Sequence, residues 1–367
     1  MQLWGRAAGR CQFKGHNEPL YKNPITQEPI NLGELAHIYS FSEKGPRGWG
    51  LLSKNKKALN QIENLMLLCP ACHKTVDNEK GKKYPVELLQ KWKREHEERI
   101  WITSGIDPKN KSYPVFYFSR IGKFVPKVDK DEAIRAMFPA RYPAQENAID
   151  LSSKPGTEDS QEAHWKAEEE NLKKHFNRKI LPIIEDEPNA HFSIFALAPM
   201  PLLIKLGILF SDINQCDIFQ PIREPGGWQF EEAPDDFEFI INRPKSRSGR
   251  PILALSLSTQ LRHERVTSVL GENVDIWEIS VPSQFQHNDF IRSRQQLRLF
   301  REAYRKVIAE LEEVYETREL HVFPIMPASC AISLGICRQQ KAAWTWIIYD
   351  HNNQIGGFTK TLTLEGN

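Results

Sequence analysis

The sequence has no uninterrupted apolar run approaching the roughly 18 residues of a membrane-spanning helix, which sets aside a transmembrane protein and a membrane partner. It opens Met1-Gln2-Leu3-Trp4 and meets Arg6 and Arg10 at once, so the apolar core of a secretory signal is missing and a cytoplasmic location is expected. Cysteine is sparse, six in 367 residues. A disulfide framework is therefore not expected, and the close pair Cys69 and Cys72 reads as metal ligands instead. No repeat stands out at a fixed period, and the net charge of +2 is almost nothing. With 40% hydrophobic and 26% charged residues the composition is that of soluble globular protein, and at about 150 residues per domain the length fits two or three domains.

The balanced charge conceals a polarity. Residues 1–127 hold 22 Lys and Arg against 12 Asp and Glu, a surplus of +10, whereas the remainder holds 27 against 35, a surplus of −8. A basic front half fits a polyanion-binding surface; an acidic back half does not. Three regions are expected: a compact, loop-rich module over 1–110, a linker and helical connector over 111–180, and an α/β domain over 181–367. Helical spacing over 86–101 closes the first. In the connector, 114–118 reads as a strand, 131–138 as a short helix, 152–160 as a loop without periodicity and 160–180 as a charged helix. In the last region strands are expected at 191–198, 217–222, 237–241, 252–258, 274–281, 320–326 and 344–349. Helices are expected at 201–210, 289–317 and 329–337. That alternation argues for a largely parallel sheet and hints at two related halves.

Cys69-Pro70-Ala71-Cys72 has the spacing at which two thiolates hold one tetrahedral zinc. Cys11 and His16, in RCQFKGH, are the candidate second half, giving a Cys3His site that closes a loop of more than fifty residues and contributes folding energy. His16 is the least determined of the four. Directly after the knuckle stands His73, and upstream lie His37 and Asn64. In that order, and with the core NLMLLCPACH, the segment from about Arg6 to Trp101 resembles the zinc-containing branch of the HNH nucleases. The resemblance implies a ββα-metal fold with the first His on a strand and the last on the following helix. Many relatives carry a metal-binding Asp before the first His, where this chain has Ala36; Glu34 or Asp77 are the candidate replacements.

Phosphodiester hydrolysis needs an activated water and stabilisation of charge on the phosphate and leaving oxygen. His37 is the candidate general base, Asn64 the residue that holds its loop or orients its ring, and His73 a ligand for Mg²⁺ or Mn²⁺. Lys54, Lys56, Lys57, Lys74, Lys82, Lys83, Lys91, Lys93 and Arg94 supply phosphate-neutralising charge with no base-reading motif, so weak sequence preference on double-stranded DNA is expected. Gly45-Pro46-Arg47-Gly48 reads either as a further DNA contact or as a turn.

In the back half the ends of expected strands hold the candidate nucleotide contacts, since α/β sheets bind ligands there. These are Pro199 and Met200; Gln220 and Arg223, with Trp228 to stack on a base; and Ser329 and Cys330, at a helix start suited to phosphate, leading into Leu334 and Gly335. Cys216, Cys330 and Cys337 have no ligand partners in this pattern. The segments HFSIFALAPMPLLIKLGILF, DIFQPIREPGGWQF and HVFPIMPASCAISLGICRQQKAAWTWIIYD together resemble the SAVED domain, the cyclic-oligonucleotide sensor of CBASS anti-phage systems. HNH followed by SAVED is the arrangement of a CBASS effector family. It implies two fused Rossmann-like halves, recognition of a cyclic dinucleotide, assembly into a homo-oligomer from dimer to tetramer, and activated duplex-DNA cleavage. The alternatives are a restriction-type nuclease whose back half reads DNA, against which the acidic balance argues, and a non-catalytic zinc-containing DNA-binding regulator.

Overall fold

The computed structural model describes the whole chain except residues 153–161, 213, 225, 233–236, 339–343, 353–355 and 367. Most of the loop expected at 152–160, Pro225 of the REPGGWQF segment and residues 339–343 of the final SAVED-like segment thus lie outside the described residues. The chain divides into two compact units, Met1–Pro108 and Lys109–Asn367. No helix among the described residues is long and apolar enough to cross a membrane.

The first unit begins with α1 (Gln2–Arg6). Strand β1 (Glu34–His37) pairs antiparallel with β2 (Leu65–Leu68), Glu34 lying opposite Leu68 and His37 opposite Leu65. One residue later begins α2 (Pro70–Asp77), with Pro70 at its first position, where a missing N–H costs nothing. This is a ββα unit. Helix α3 (Val86–Ser104) buries Val86, Leu89, Lys93 and His96, and a hydrogen bond between His96 Nε2 and the Ala7 carbonyl ties it to the residue after α1. Leu3, Leu20, Ile38, Met66, Leu67, Leu68 and Val76 form the core.

The second unit opens on a strand. β3 (Lys111–Phe118) is followed by α4 (Lys130–Arg135), the two-residue strands β4 (Tyr142–Pro143) and β5 (Ile149–Asp150), α5 (Glu162–Lys179) and α6 (Leu181–Asp186). Next come β6 (His191–Leu197), α7 (Met200–Phe210) and β7 (Gln215–Phe219), completing a five-stranded parallel sheet ordered β4-β3-β6-β7 with β5 beside β3. The segment 111–180 expected as a linker therefore contains a central strand, and every residue of β6 except Leu197 is buried, as in a parallel sheet covered on both faces. The second sheet uses β8 (Ile240–Asn242), β9 (Arg250–Ser256), β10 (Val274–Ser280), β11 (Glu319–Ile325), β12 (Thr345–Asn352) and β13 (Gly357–Leu364). Its order is β13-β12-β11-β9-β10-β8, parallel except at the two antiparallel edges. Helices α8 (Glu264–Leu270), α9 (Arg294–Val314) and α10 (Ala328–Cys337) accompany it. A capping box between Ser293 and Gln296 starts α9, and Leu297, Phe300, Tyr304, Val307 and Leu311 make its buried stripe. Strand β13 has no counterpart among the expected elements.

The hint of two halves has a physical form. β6–α7 and β11–α10 align without a gap, Phe195 with Phe323, Pro199 with Pro327, Ile204 with Ile332, Leu206 with Leu334 and Gly207 with Gly335. The two helices pack on each other at the paired glycines. A Cβ on Gly207 would lie 2.0 Å from the Ile332 carbonyl oxygen and 3.0 Å from Gly335 Cα, and one on Gly335 would lie 2.0 Å from the Ile204 oxygen and 3.0 Å from Gly207 Cα. Equal distances both ways describe a local twofold. Backbone meets backbone there, so no side chain fits. Gly207→Ala or Gly335→Ala is expected to cost about 1–3 kcal/mol, read as a lowered midpoint in thermal unfolding. An unchanged midpoint in both would contradict the contact.

At the amino ends of β3 and β6, Ser112 Oγ lies 2.8 Å from both His191 Nδ1 and Ser193 Oγ, all three residues buried. Burial, reinforced by Arg141, brings His191 down to about 4. A histidine depressed in the folded state contributes stability that is complete above pH about 6.5, its unfolded value, and is lost as pH falls toward 4. The urea midpoint is expected to fall less steeply across that window in His191→Asn than in the parent. Parallel curves would rule out this linkage.

Candidate active site and metal centre

The four candidate zinc ligands converge. Ligand atoms of Cys11, His16, Cys69 and Cys72 all lie within 4.8 Å of one another. His16 Nδ1 stands 3.7 Å from Cys69 Sγ and 3.4 Å from Cys72 Sγ. Tetrahedral zinc bonds of about 2.3 Å to sulfur and about 2.0 Å to nitrogen place such atoms about 3.6 Å apart, so the set fits the ion. Backbone geometry prepares it. The Cys69 N–H donates to Cys11 Sγ and the Cys72 N–H to Cys69 Sγ, each at 3.4 Å, while Gly15, at φ +83°, turns the chain between Cys11 and His16. Burial pushes the Cys11 and Cys72 thiols up, with the neighbouring thiols adding to it at Cys72, whereas a dication among them would supply the opposing field that favours thiolates.

His37 is the last residue of β1, and its Nε2 lies 3.0 Å from Asn60 Oδ1. Asn64 is buried at 4% exposure and does not touch the ring. Its Oδ1 accepts from the Tyr39 N–H at 2.8 Å, and its Nδ2 donates to the carbonyls of Tyr39 at 2.9 Å and Leu59 at 2.8 Å. It therefore holds the chain leaving His37 rather than the imidazole. His73, on α2, sits between two carboxylates, with Nδ1 2.8 Å from Glu34 Oε2 and Nε2 3.4 Å from Asp77 Oδ2. Asp77 first, then Glu34, raise the His73 titration against the opposing effect of burial. Ala36, at the position where the resemblance expects an Asp, is a core residue at 2% exposure, so the oxygen donors near His73 are Glu34 and Asp77.

Of the two readings of Gly45-Pro46-Arg47-Gly48, the turn is the one present, closed by the Gly48 N–H on the Gly45 carbonyl at 3.1 Å. The Arg47 side chain is 4% exposed and faces inward, donating to the carbonyls of Ile38, Val76 and His37 and to Asp77 Oδ1 at 2.6 Å. A guanidinium spent on four acceptors is not a DNA contact. Asn60 was not among the candidates, and no spacing rule points to it.

The candidate nucleotide contacts lie in environments of different kinds. Trp228, at 4% exposure, packs edge-on against Phe195 with ring centroids 5.3 Å apart, so its faces are not open to a base. Pro199, Cys330, Leu334 and Gly335 are buried, the last in the contact with Gly207. Gln220 and Ser329 do come together, but with each other: Gln220 Oε1 accepts from Ser329 N at 3.1 Å and Oγ at 2.6 Å, filling the start of α10 where a phosphate was expected. Arg223 is exposed and Met200 partly so.

Zinc removal tests the metal centre. The purified chain is expected to carry one zinc, and chelation or Cys69→Ser is expected to unfold the first unit, read as trypsin cleavage within 1–108 while the second unit resists. Full resistance after the zinc has gone would refute a structural role.

The family model of HNH endonucleases matches residues 11–80, and that of the SMODS-associated and fused to various effectors sensor domain, SAVED, matches residues 172–364. No curated protein matches the chain. Among solved structures, an Acinetobacter baumannii Cap4 SAVED/CARF-domain containing receptor with the cyclic trinucleotide 2′3′3′-cAAA is 14% identical over 86% of this chain and 66% of its own, with a TM-score of 0.46. The same receptor with 3′3′3′-cAAA is 12% identical over 85% and 67%, with a TM-score of 0.42. A Moraxella osloensis Cap4 SAVED/CARF-domain containing receptor is 11% identical over 80% and 60%, with a TM-score of 0.38. The chain spans about two thirds or less of the length of these receptors. With more than half of its residues matched by the sensor model, the chain belongs to the SAVED family, and it carries an HNH endonuclease domain at its N-terminal end.

Proposed function

We propose that the chain is a ligand-gated endonuclease that hydrolyses double-stranded DNA with little sequence preference when a cyclic dinucleotide binds its SAVED domain and drives assembly into a homo-oligomer, dimer to tetramer, as an effector of a CBASS anti-phage system. The observation that carries it is one chain holding a ββα unit, with His37 ending its strand and His73 flanked by two carboxylates on its helix, and a sensor domain.

In this reading His37 takes the proton of a water whose oxygen attacks phosphorus, and the bond from phosphorus to the 3′ oxygen breaks as that oxygen is protonated from solvent. His73, Glu34 and Asp77 would hold a Mg²⁺ or Mn²⁺ ion, which when bound neutralises charge on the phosphate and the leaving oxygen. Asp77 Oδ1 is already committed to Arg47, which leaves Oδ2 and the Glu34 carboxylate as the available donors. Asn64 keeps the loop after His37 in place. Lys54, Lys56, Lys57, Lys74, Lys82 and Lys83 are exposed, as phosphate contacts must be. A dinucleotide suits the local twofold of β6–α7 and β11–α10, which offers two equivalent frames to a ligand with two equivalent halves. Met200 and Arg223 are the solvent-facing members proposed to meet it.

The test is cleavage of supercoiled plasmid by the full chain with Mg²⁺, alone and with a panel of cyclic di- and trinucleotides. Cutting is expected with a cyclic dinucleotide, and His37→Ala is expected to reduce it by roughly 10²–10⁴-fold. Equal cutting without any ligand would end the gating proposal while leaving the nuclease; activation by a trinucleotide alone would replace the ligand class; full activity in His37→Ala would remove the assigned base.

A further inference from the structure

We infer that Asn60 is the positioning residue of the candidate base, locking His37 in the tautomer with its proton on Nε2. The inference rests on the reading of His37 as the base. His37 Nε2 lies 3.0 Å from Asn60 Oδ1. An amide oxygen only accepts, so the facing nitrogen must carry the proton, and the lone pair that can take a proton from water is then on Nδ1. Because the acceptor is an uncharged amide, the tautomer is set without a carboxylate beside the ring. Phe41, its centroid 5.9 Å from that of His37, stands along the imidazole and narrows its choice of orientation.

The two partners arrive from different segments, and one side chain ties the segments together. Asn60 ends the 3-10 turn Lys56–Asn60, whose Leu59 is buried. The Leu59 carbonyl, one residue before Asn60, accepts from Asn64 Nδ2, and both backbone polar groups of Tyr39, two residues after His37, bond to the same Asn64 amide. The Ile38 N–H adds a bond to the Asn64 carbonyl at 2.8 Å. Asn64 thus sets the distance between the turn carrying Asn60 and the strand end carrying His37 while touching neither side chain. Asn60 itself is exposed, so replacing it removes the hydrogen bond without emptying a core.

Full-length protein with ¹⁵N-labelled histidine, observed by long-range ¹H–¹⁵N correlation, reports the tautomer of each ring, and His37→Ala assigns the resonance. The parent and Asn60→Asp, which keeps the accepting oxygen, are expected to show only the Nε2–H form at alkaline pH; Asn60→Ala is expected to show a mixture, with thermal unfolding unchanged. In plasmid cleavage with Mg²⁺ and the activating cyclic oligonucleotide, Asn60→Ala is expected to lower kcat about tenfold at constant KM, with most of the loss recovered in Asn60→Asp. An Asn60→Ala protein with the parental tautomer overturns the inference whether or not cleavage is obtained. Undiminished cutting by His37→Ala would instead remove the base assignment on which the catalytic part rests, so the two failures are told apart.

Discussion

The chain between β1 and β2, residues 38–64, contains only short 3-10 turns, so its shape rests on two buried polar side chains, Asn64 and Arg47. A buried amide or guanidinium is costly when unpaired, about 1–3 kcal/mol for each unmet neutral group and more for a charge. Neither is left unpaired here: Asn64 satisfies three backbone groups, and Arg47 reaches three carbonyls and one carboxylate. The cost of misplacing them is what fixes the loop. Gly81 is part of the same constraint, because a Cβ there would lie 2.4 Å from Arg47 Nη1 and the residue sits at φ +77°, where other residues are strained.

Helix α2 shows how this constraint meets the metal centre. Eight residues are too few for a helix to be stable by itself in water. The Cys69–Cys72 knuckle fixes its first turn, and the bonds of Arg47 to the Val76 carbonyl and Asp77 fix its last. His73 lies between the two anchors. Burial would raise the Asp77 carboxyl, yet His73 and Arg47 together hold it below the usual carboxylate range, so Asp77 keeps its charge beside the imidazole. Glu34 approaches His73 from β1, which makes the cluster a product of strand and helix alike.

What could be read from the sequence was whatever chemistry concentrates in short spacing. The Cys69–Cys72 pair with His73, and the alternation of apolar runs with helical periods, are local signals, and a Cys/His cluster with metal-ligand spacing and two largely parallel sheets match them. The partners of those residues come from distant loops and left no such mark. Nothing local to Arg47 says that Val76 and Asp77 will enclose it, and Asn60 stands among lysines in a solvent-facing turn. Trp228 is enclosed by phenylalanines and Leu334 is buried on the helix that packs against α7, and no local pattern announces either set of neighbours. The break in charge near Lys127 does not mark the boundary between the units, since β3 lies in the basic front part by charge and in the second unit by packing.

The glycine contact also limits how the sensor half can respond to a ligand. One hydrophobic core contains Val115 and Ile194 of the first sheet together with Leu253, Trp277 and Leu320 of the second, and α7 and α10 cross with backbone against backbone. Close-packed interiors resist sliding, and this crossing has no side chains whose rotamers could absorb it. Opening the two halves would expose that core. A ligand shifts a population only by contacts that differ between the two states. In this fold such differences are cheapest at exposed segments, such as the turn carrying Arg223, whose backbone N–H is tied to Asp289 by one bond at 3.0 Å. A response confined to such exposed segments asks less of this core than separation of its halves.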